Sequence, residues 1–271
     1  WCQEGLNLEI IPYGCIATGD GVGMIEVVLN AETIADITHE HGGATAAFGE
    51  TALLKWLQSN TTAMKEEKER TRKLSFKSKG SSHSNGADED KGHSEKFDNE
   101  MEEVVDHFVH SCAGYCVATY ILGIGDRHND NIMLKRNGYL FHIDFGHFLG
   151  NFKKFFMYKR ETAPFVFTKM YARVMGGDQS EAFKKFCSLA CRAFNVIRKN
   201  GKFLQTLFLL MLSTGIPELQ SKDDVLWLRN TLNLQISDEE ANQTFRQLIK
   251  MSLNNTKVLI NDLVHIIAHK Y

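Results

Sequence analysis

Between the apolar runs VATYIL (117–122) and IML (132–134) the chain places six consecutive polar or charged residues, Asp126 to Asn131, reading DRHNDN. A surface turn needs one or two such side chains. Six, carrying an imidazole, two carboxylates, a guanidinium and two amides between segments that read as buried, mark a candidate site. Thirteen residues after Asn131 comes Asp144, in HIDFGHFLG (142–150). Mg²⁺ takes hard oxygen ligands, one or two carboxylates or amides plus phosphate oxygens, so Asn131 and Asp144 suit an ion held against the phosphates of a nucleotide. The chemistry implied is phosphoryl transfer, which needs mainly positioning and charge neutralisation.

Such a transfer also needs a base near the acceptor hydroxyl. Asp126 lies five residues before Asn131, the interval that separates the catalytic Asp and the Asn of the protein-kinase HRDxxxxN loop. His128 is equally suited, because its unperturbed pKa is near neutral. The order here is D-R-H rather than H-R-D, and the residues alone leave the choice open. Asp-Phe-Gly by itself is a weak signal. DRHNDN followed at this interval by Asp-Phe-Gly is a strong one, set against a hydrogen-bonded loop with no catalysis.

The elements around these residues follow from pattern. A long helix is expected from about Phe97 to Leu122, then a β-hairpin of 132–135 and 139–143 turning at Arg136–Gly138. Residues 7–17 and 23–28 read as strands, Ala31 to Ile37 as a short helix and 51–58 as another. Residues 64–96 are dense in charge, Ser and Gly, and are expected to be a disordered insertion. RKLS (72–75) within it reads as a solvated charge run rather than a phosphorylation site. After Gly146 an irregular stretch is expected to Phe167, then helices over roughly 168–175, 179–199, 201–212, 221–232, 238–252 and 256–270. A few strands followed by many helices give an α+β class.

With 271 residues, 43% hydrophobic and 24% charged, the chain has apolar material for one large core or two smaller ones. A formal net charge of −2 gives no reason to expect nucleic acid as a partner. The apolar-rich run FLQTLFLLML (203–212) is too short to span a bilayer, and no signal peptide opens the sequence. Six scattered cysteines lack the further ligands a metal centre needs. They are expected to be buried free thiols, which fits a reducing cytoplasm.

SCAGYCVATYILGIGDRHNDNIM (111–133) and FHIDFGHFLG (141–150) resemble the catalytic and metal-binding segments of the phosphoinositide 3-kinase and related lipid-kinase family. The resemblance covers nearly all of the chain outside 64–96. It implies a protein-kinase-like, two-lobed lipid kinase fold. Residues 1–30 would end the β-rich N-lobe and form the hinge, and 31–271 would make a mostly helical C-lobe, with a catalytic loop at 123–131 and an activation loop at 144–168. It implies ATP and Mg²⁺, with Asn131 and Asp144 as metal ligands, His128 as the favoured base or proton shuttle, and Asp126 and Arg127 organising the loop. His147 would help handle the transferred phosphate. IEVV (25–28) would be the hinge, where the backbone of Glu26 and Val28 meets adenine, with Tyr13, Ile25, Met133 and Ile143 lining the pocket. The family's phosphate loop and ATP-contacting lysine would precede Trp1, so the chain alone is expected to be a poor catalyst. The resemblance also implies further domains and a regulatory subunit as partners. The last stretch, TKVLINDLVHIIAHKY (256–271), lacks the Trp common in class I enzymes and is expected to pack on the large lobe.

The stretch GNFKKFFMYKRETAPFVFT (150–168) bears on the substrate. It gathers Lys153, Lys154, Lys159 and Arg160, interleaved with aromatic residues, in a chain of no overall positive charge. Cations on a loop suit a multiply phosphorylated head group at a membrane surface, and neighbouring apolar side chains suit its interface. The loop is similar to that of class I enzymes, which implies phosphatidylinositol 4,5-bisphosphate as substrate and recruitment to the inner face of the plasma membrane. PFVFT is also similar to class II enzymes, the nearest alternative. A protein Ser/Thr kinase of the same superfamily would have no use for this cluster, and a non-catalytic scaffold would have none for the intact Asp126, His128, Asn131 and Asp144 set.

Overall fold

The computed structural model describes residues 1–41, 49–77, 89–150, 154–155, 158–159 and 163–255. Its spine is the helix α3, Glu89–Leu122. The buried residues Phe108, Cys112, Tyr115 and Cys116 recur at helical spacing along one face of it. Gly114 lets Leu8 and Ile10 approach closely, since a Cβ there would stand 2.7 Å from Ile10 Cδ1. Gly123, at φ +56°, ends the helix in the left-handed conformation that glycine adopts without strain.

Preceding α3 are β1 (Cys15–Gly19), β2 (Val22–Ile25), β3 (Ala31–Thr33), α1 (Ile34–His41) and α2 (Ala52–Lys77). After it come β4 (Ile132–Lys135) and β5 (Leu140–His142). β3, β4 and β5 form one antiparallel sheet in that order, with Met133 opposite Phe141 and Ile132 opposite His142. The β4–β5 turn closes through Lys135 N–H to Tyr139 O at 2.8 Å, with Gly138 at φ +96°. Ile132 and Leu134 are buried while Met133 and Lys135 are half-exposed, so the strand presents Met133 to its open face. β1 and β2 make a separate hairpin exposed along its whole length.

The helical part contains α4 (Lys169–Val174), α5 (Glu181–Lys199), α6 (Gly201–Leu210), α7 (Leu226–Leu232) and α8 (Asp238–Leu253). Ser180 caps α5 by accepting Phe183 N–H at 3.1 Å, and Ser237 with Glu240 forms a capping box on α8. Phe165, Phe194 and Phe245 meet Tyr120 edge to face, with Phe165 stacked on Phe245, to join α3, α5 and α8.

Several sequence expectations are corrected. Residues 7–14 are not a strand; Leu6 and Leu8 are buried as irregular chain. Ala31–Thr33 is a strand, because Thr33 caps the helix behind it, its Oγ1 accepting Asp36 N–H at 3.0 Å. Residues 64–77 and 89–96 are helical rather than disordered. MKEEKERTRK is built of strong helix formers, and α2 extends from a buried first half that includes Leu53, Trp56 and Leu57. In the loop expected to be irregular, β6 (Lys154–Phe155) pairs with β7 (Tyr158–Lys159). Residues 221–225 are a turn, held by Asp224 accepting the N–H groups of Gln220 and Ser221 at 3.0 and 2.8 Å, so α7 starts only at Leu226. Of the cysteines, Cys112, Cys116, Cys187 and Cys191 are buried free thiols, but Cys2 and Cys15 are exposed. The helix expected over 256–270 lies outside the described residues.

Candidate active site

The loop after α3 and the segment after β5 run side by side. Gly125 N–H donates to His147 O at 2.8 Å, Leu149 N–H to Leu122 O at 2.7 Å and Gly150 N–H to Gly123 O at 3.1 Å. Trp227 packs behind this pairing. Its indole N–H reaches Ile121 O at 3.0 Å, and its ring occupies the space a Cβ on Gly123 or Gly150 would need.

Arg127 stitches the two segments from within. Its Nε donates to Gly125 O at 2.8 Å, its Nη1 to Ile143 O at 2.7 Å and its Nη2 to Asp144 O. The guanidinium carbon also sits 5.6 Å from the Phe145 ring centre. Asp126 and Asp144, one on each segment, hold φ near +57° and +56°, a region that non-glycine residues enter at a cost of about 1–3 kcal/mol.

Asn131 closes the arrangement. Its backbone O accepts Ile143 N–H at 3.0 Å, so β5 leads directly from Asn131 toward Asp144. Its Nδ2 donates to Asp126 O at 3.0 Å and lies 3.1 Å from His128 Nε2. The amide nitrogen is thus committed inward, which leaves Oδ1 as the atom for a cation. Asp144 Oδ1 accepts Gly146 N–H at a long 3.3 Å. An amide oxygen and a carboxylate on adjoining strand ends form a hard-oxygen pair, which fits Mg²⁺ completed by phosphate oxygens. Among the described residues no cluster of three or more His, Cys, Asp or Glu could hold a metal, so a cage made wholly of such side chains is not present there.

His128 is buried, with Nδ1 3.3 Å from Asp130 Oδ2. Its Nε2 meets the Asn131 amide nitrogen at 3.1 Å, so both ring nitrogens face polar neighbours. His147 Nδ1 pairs with Glu218 Oε1 at 2.7 Å, and Phe148 N–H donates to Glu218 Oε2.

Residues 1–221 match the family of phosphatidylinositol 3- and 4-kinases. This chain belongs to that family. It is 47% identical over 270 residues to phosphatidylinositol 3-kinase 1 of Dictyostelium discoideum, covering 99% of this chain and 15% of that protein. Phosphatidylinositol 3-kinase 2 of the same organism is 46% identical over 269 residues, 99% of this chain and 13% of its own length. The human phosphatidylinositol 4-phosphate 3-kinase C2 domain-containing subunit beta is 41% identical over 270 residues, 99% of this chain and 14% of its own length. The chain therefore spans 13–15% of the length of these relatives.

In this kinase family member the fold is mixed, with small antiparallel sheets beside a helical lobe. Tyr13, Met133 and Ile143 are half-buried against the core. Tyr13 O–H donates to His142 O at 3.4 Å, bringing it to the strand that ends in Ile143 and Asp144. Burial raises the Tyr13 pKa, and the Asp144 charge adds to the shift while Arg127 opposes it. Ile25 is 71% exposed at the end of β2, and Glu26 is exposed. Glu26 N–H is committed to Gly14 O at 2.8 Å, so that donor, one of the groups expected to meet adenine, is already paired. Lys154 and Lys159 stand opposite one another in the β6–β7 register, whereas Lys153 and Arg160 lie outside the described residues.

Sequence reasoning missed Glu218, Trp227 and the Tyr115–His142 pair. The Tyr115 and His142 rings stack at 4.9 Å with planes 4° apart. Burial, with the nearby Arg127 charge, lowers the His142 pKa to about 3, and burial raises that of Tyr115 to about 12. All three contacts join residues far apart in sequence, and no local pattern announces them.

Proposed function

We propose that this chain is the catalytic core of a lipid kinase that transfers the γ-phosphate of ATP to the 3-hydroxyl of a phosphoinositide. The observation that carries this reading is the Arg127 junction, which seats Asn131 and Asp144 on adjoining segments with their oxygens uncommitted to the core. Mg²⁺ held by these two residues would neutralise charge on the nucleotide phosphates. The protein's own part is positioning. Arg127 fixes the carbonyls around Asp144, Asn131 contacts His128, and the His128 imidazole or the Asp126 carboxylate takes the proton of the acceptor hydroxyl. Adenine would meet the Glu26 carbonyl and Val28 N–H beside Tyr13, Met133 and Ile143.

The leading substrate is phosphatidylinositol 4,5-bisphosphate at the inner face of the plasma membrane, with further domains and a regulatory subunit as partners. The β6–β7 hairpin supports a doubly phosphorylated head group, because its register sets Lys154 against Lys159 with Lys153 and Arg160 flanking them in sequence. A class II reading, acting on phosphatidylinositol or its 4-phosphate, is favoured by the 41% identity to the human relative named for that substrate. Among the described residues no helix is long and apolar enough to cross a membrane.

Product analysis separates these readings. The full-length kinase is incubated with ATP, Mg²⁺ and vesicles of phosphatidylinositol, its 4-phosphate or its 4,5-bisphosphate, and the ring position gaining phosphate is identified. Replacing Lys153, Lys154, Lys159 and Arg160 by Ala should abolish use of the bisphosphate and spare phosphatidylinositol. Equal loss on all three lipids rejects the selectivity, and phosphate at another ring position rejects the 3-kinase reading.

A further inference from the structure

The segment after Asp-Phe-Gly is held by a residue that lies 71 positions beyond His147 in sequence. Glu218 uses both carboxylate oxygens on it, Oε1 at 2.7 Å from His147 Nδ1 and Oε2 on the Phe148 backbone N–H. The Glu218 side chain is 16% exposed and that of His147 32%, so the pair sits at the edge of the site rather than on open surface. At such an edge solvent competes less for the two bonds than it would at a free surface.

Glu218 is itself rigidly placed. It stands in the turn Gly215–Gln220, between Pro217 and the fully buried Leu219, whose N–H returns to Ile216 O at 3.0 Å. Just beyond, Asp224 ties down the backbone of Gln220 and Ser221. A surface staple would need no such support on either side.

The ring of His147 is therefore oriented. Nδ1–H is directed at a carboxylate, so Nε2 is the nitrogen that remains to meet a phosphate oxygen or a hydroxyl. The His147 backbone is held at the same time, because its carbonyl accepts Gly125 N–H at 2.8 Å, one residue before Asp126. Glu218, His147, Gly125 and Asp126 thus form one connected chain from the large-lobe turn to the candidate catalytic loop.

We propose that Glu218 is a positioning residue for phosphoryl transfer: it fixes the tautomer and direction of the His147 imidazole and pins the backbone that follows Asp144. This rests on the kinase reading above. Partners of this kind set the orientation of a reactive histidine without touching substrate. Glu218→Gln leaves one acceptor oxygen for two donors, so one of the two bonds is lost while the turn keeps its shape. Glu218→Asp keeps both acceptors on a shorter arm.

The test uses the full-length kinase with phosphoinositide vesicles, comparing Glu218→Gln, Glu218→Asp, His147→Ala and the double variant of Glu218→Gln with His147→Ala. Glu218→Gln should lower kcat about 10–100-fold with KM for ATP changed less than about twofold, and Glu218→Asp should recover part of the loss. In the His147→Ala background the Glu218→Gln change should alter kcat by less than about threefold, because its effect runs through the imidazole. Independent, multiplying losses or an unchanged kcat in Glu218→Gln overturn the proposal. A wild-type kinase inactive on every lipid overturns the kinase reading instead. Hydrogen exchange at the Phe148 amide in Glu218→Ala, which removes both acceptors, then decides Glu218 alone: faster exchange supports the anchoring, and an unchanged rate overturns it.

Discussion

Two buried arginines, Arg127 and Arg198, organise two junctions by the same chemistry and to different ends. Arg198 on α5 gathers the end of α7 and the start of α8. It donates to Leu232 O at 3.0 Å, Asn195 Oδ1 at 2.8 Å, Asp238 Oδ1 at 2.9 Å, and the carbonyls of Asn233 and Ile236. The one left-handed residue there is Asn233 at φ +39°, a residue type that tolerates that conformation at a helix end. Arg127 instead gathers the carbonyls of Gly125, Ile143 and Asp144, and the left-handed residues beside it are Asp126 and Asp144. Around Arg198 a carboxylate answers the cation and the strain is small. Around Arg127 the hydrogen bonds to Gly125, Ile143 and Asp144 go to backbone carbonyls, and the two left-handed residues beside it are aspartates. On the proposed function, one kind of interaction closes a fold in one place and prepares a site in the other.

The comparison breaks most sharply at Asp144. Asp144→Asn should reduce lipid phosphorylation about 10²–10³-fold, because a charged oxygen aimed at the nucleotide phosphates is lost. The melting temperature should hardly change, since the backbone carbonyl that Arg127 uses remains. A large fall in melting temperature would mean that the carboxylate is structural and that the two junctions are alike. Arg198→Met should do the reverse. Stripping the partner from several carbonyls costs about 3 kcal/mol, visible as a lower denaturant midpoint, while activity per folded molecule is kept.

Gly150→Ala tests the scaffold that aligns the Arg127 junction. Gly150 is at φ +77°, and a Cβ would overlap the Trp227 ring. A loss of about 2–3 kcal/mol is expected, with reduced activity because the 147–150 pairing to 122–125 must shift. Thermal unfolding and lipid phosphorylation measured together check this. Stability loss with full activity would show that the pairing does not position the site.

How much of this was legible beforehand follows from the range of each signal. DRHNDN stands out because polar residues interrupt buried segments, and the β4–β5 hairpin because its alternation and turn are local. The end of α3 at Leu122 is local too. The partners of Arg127 are backbone carbonyls, which no residue type encodes, and Glu218 reaches His147 only through the folded large lobe. The stretch 64–77 misleads for another reason. Its Glu, Lys and Arg satisfy the composition of disorder and the propensity of helix equally, and tertiary support from the start of α2 decides between them. β3 reads as helix in the sequence because Thr33, its last residue, also caps the helix that follows.

The smallest expected effect is a pH dependence, and it again distinguishes the junctions. His142 is neutral in the fold, its pKa lowered to about 3 first by burial and then by the Arg127 charge. In the unfolded chain it titrates near 6.5, so between about 6.5 and 3 the unfolded state holds the extra proton. Stability from this residue is therefore complete above pH 6.5 and falls as the pH drops through that window, by about 1.4 kcal/mol per unit at most. Below pH 3 the fall ceases. His142→Phe keeps the stacking on Tyr115 and removes the titration, so its denaturation midpoint should decline less steeply with acid than that of the wild type. Arg127→Met in the wild-type background should make the decline cease at a higher pH, because one of the two causes of the lowered pKa is gone, whereas Arg198→Met should leave that point unchanged. If Arg127→Met and Arg198→Met move it equally, the cation near His142 has no local reach, and the electrostatic distinction between the two junctions fails.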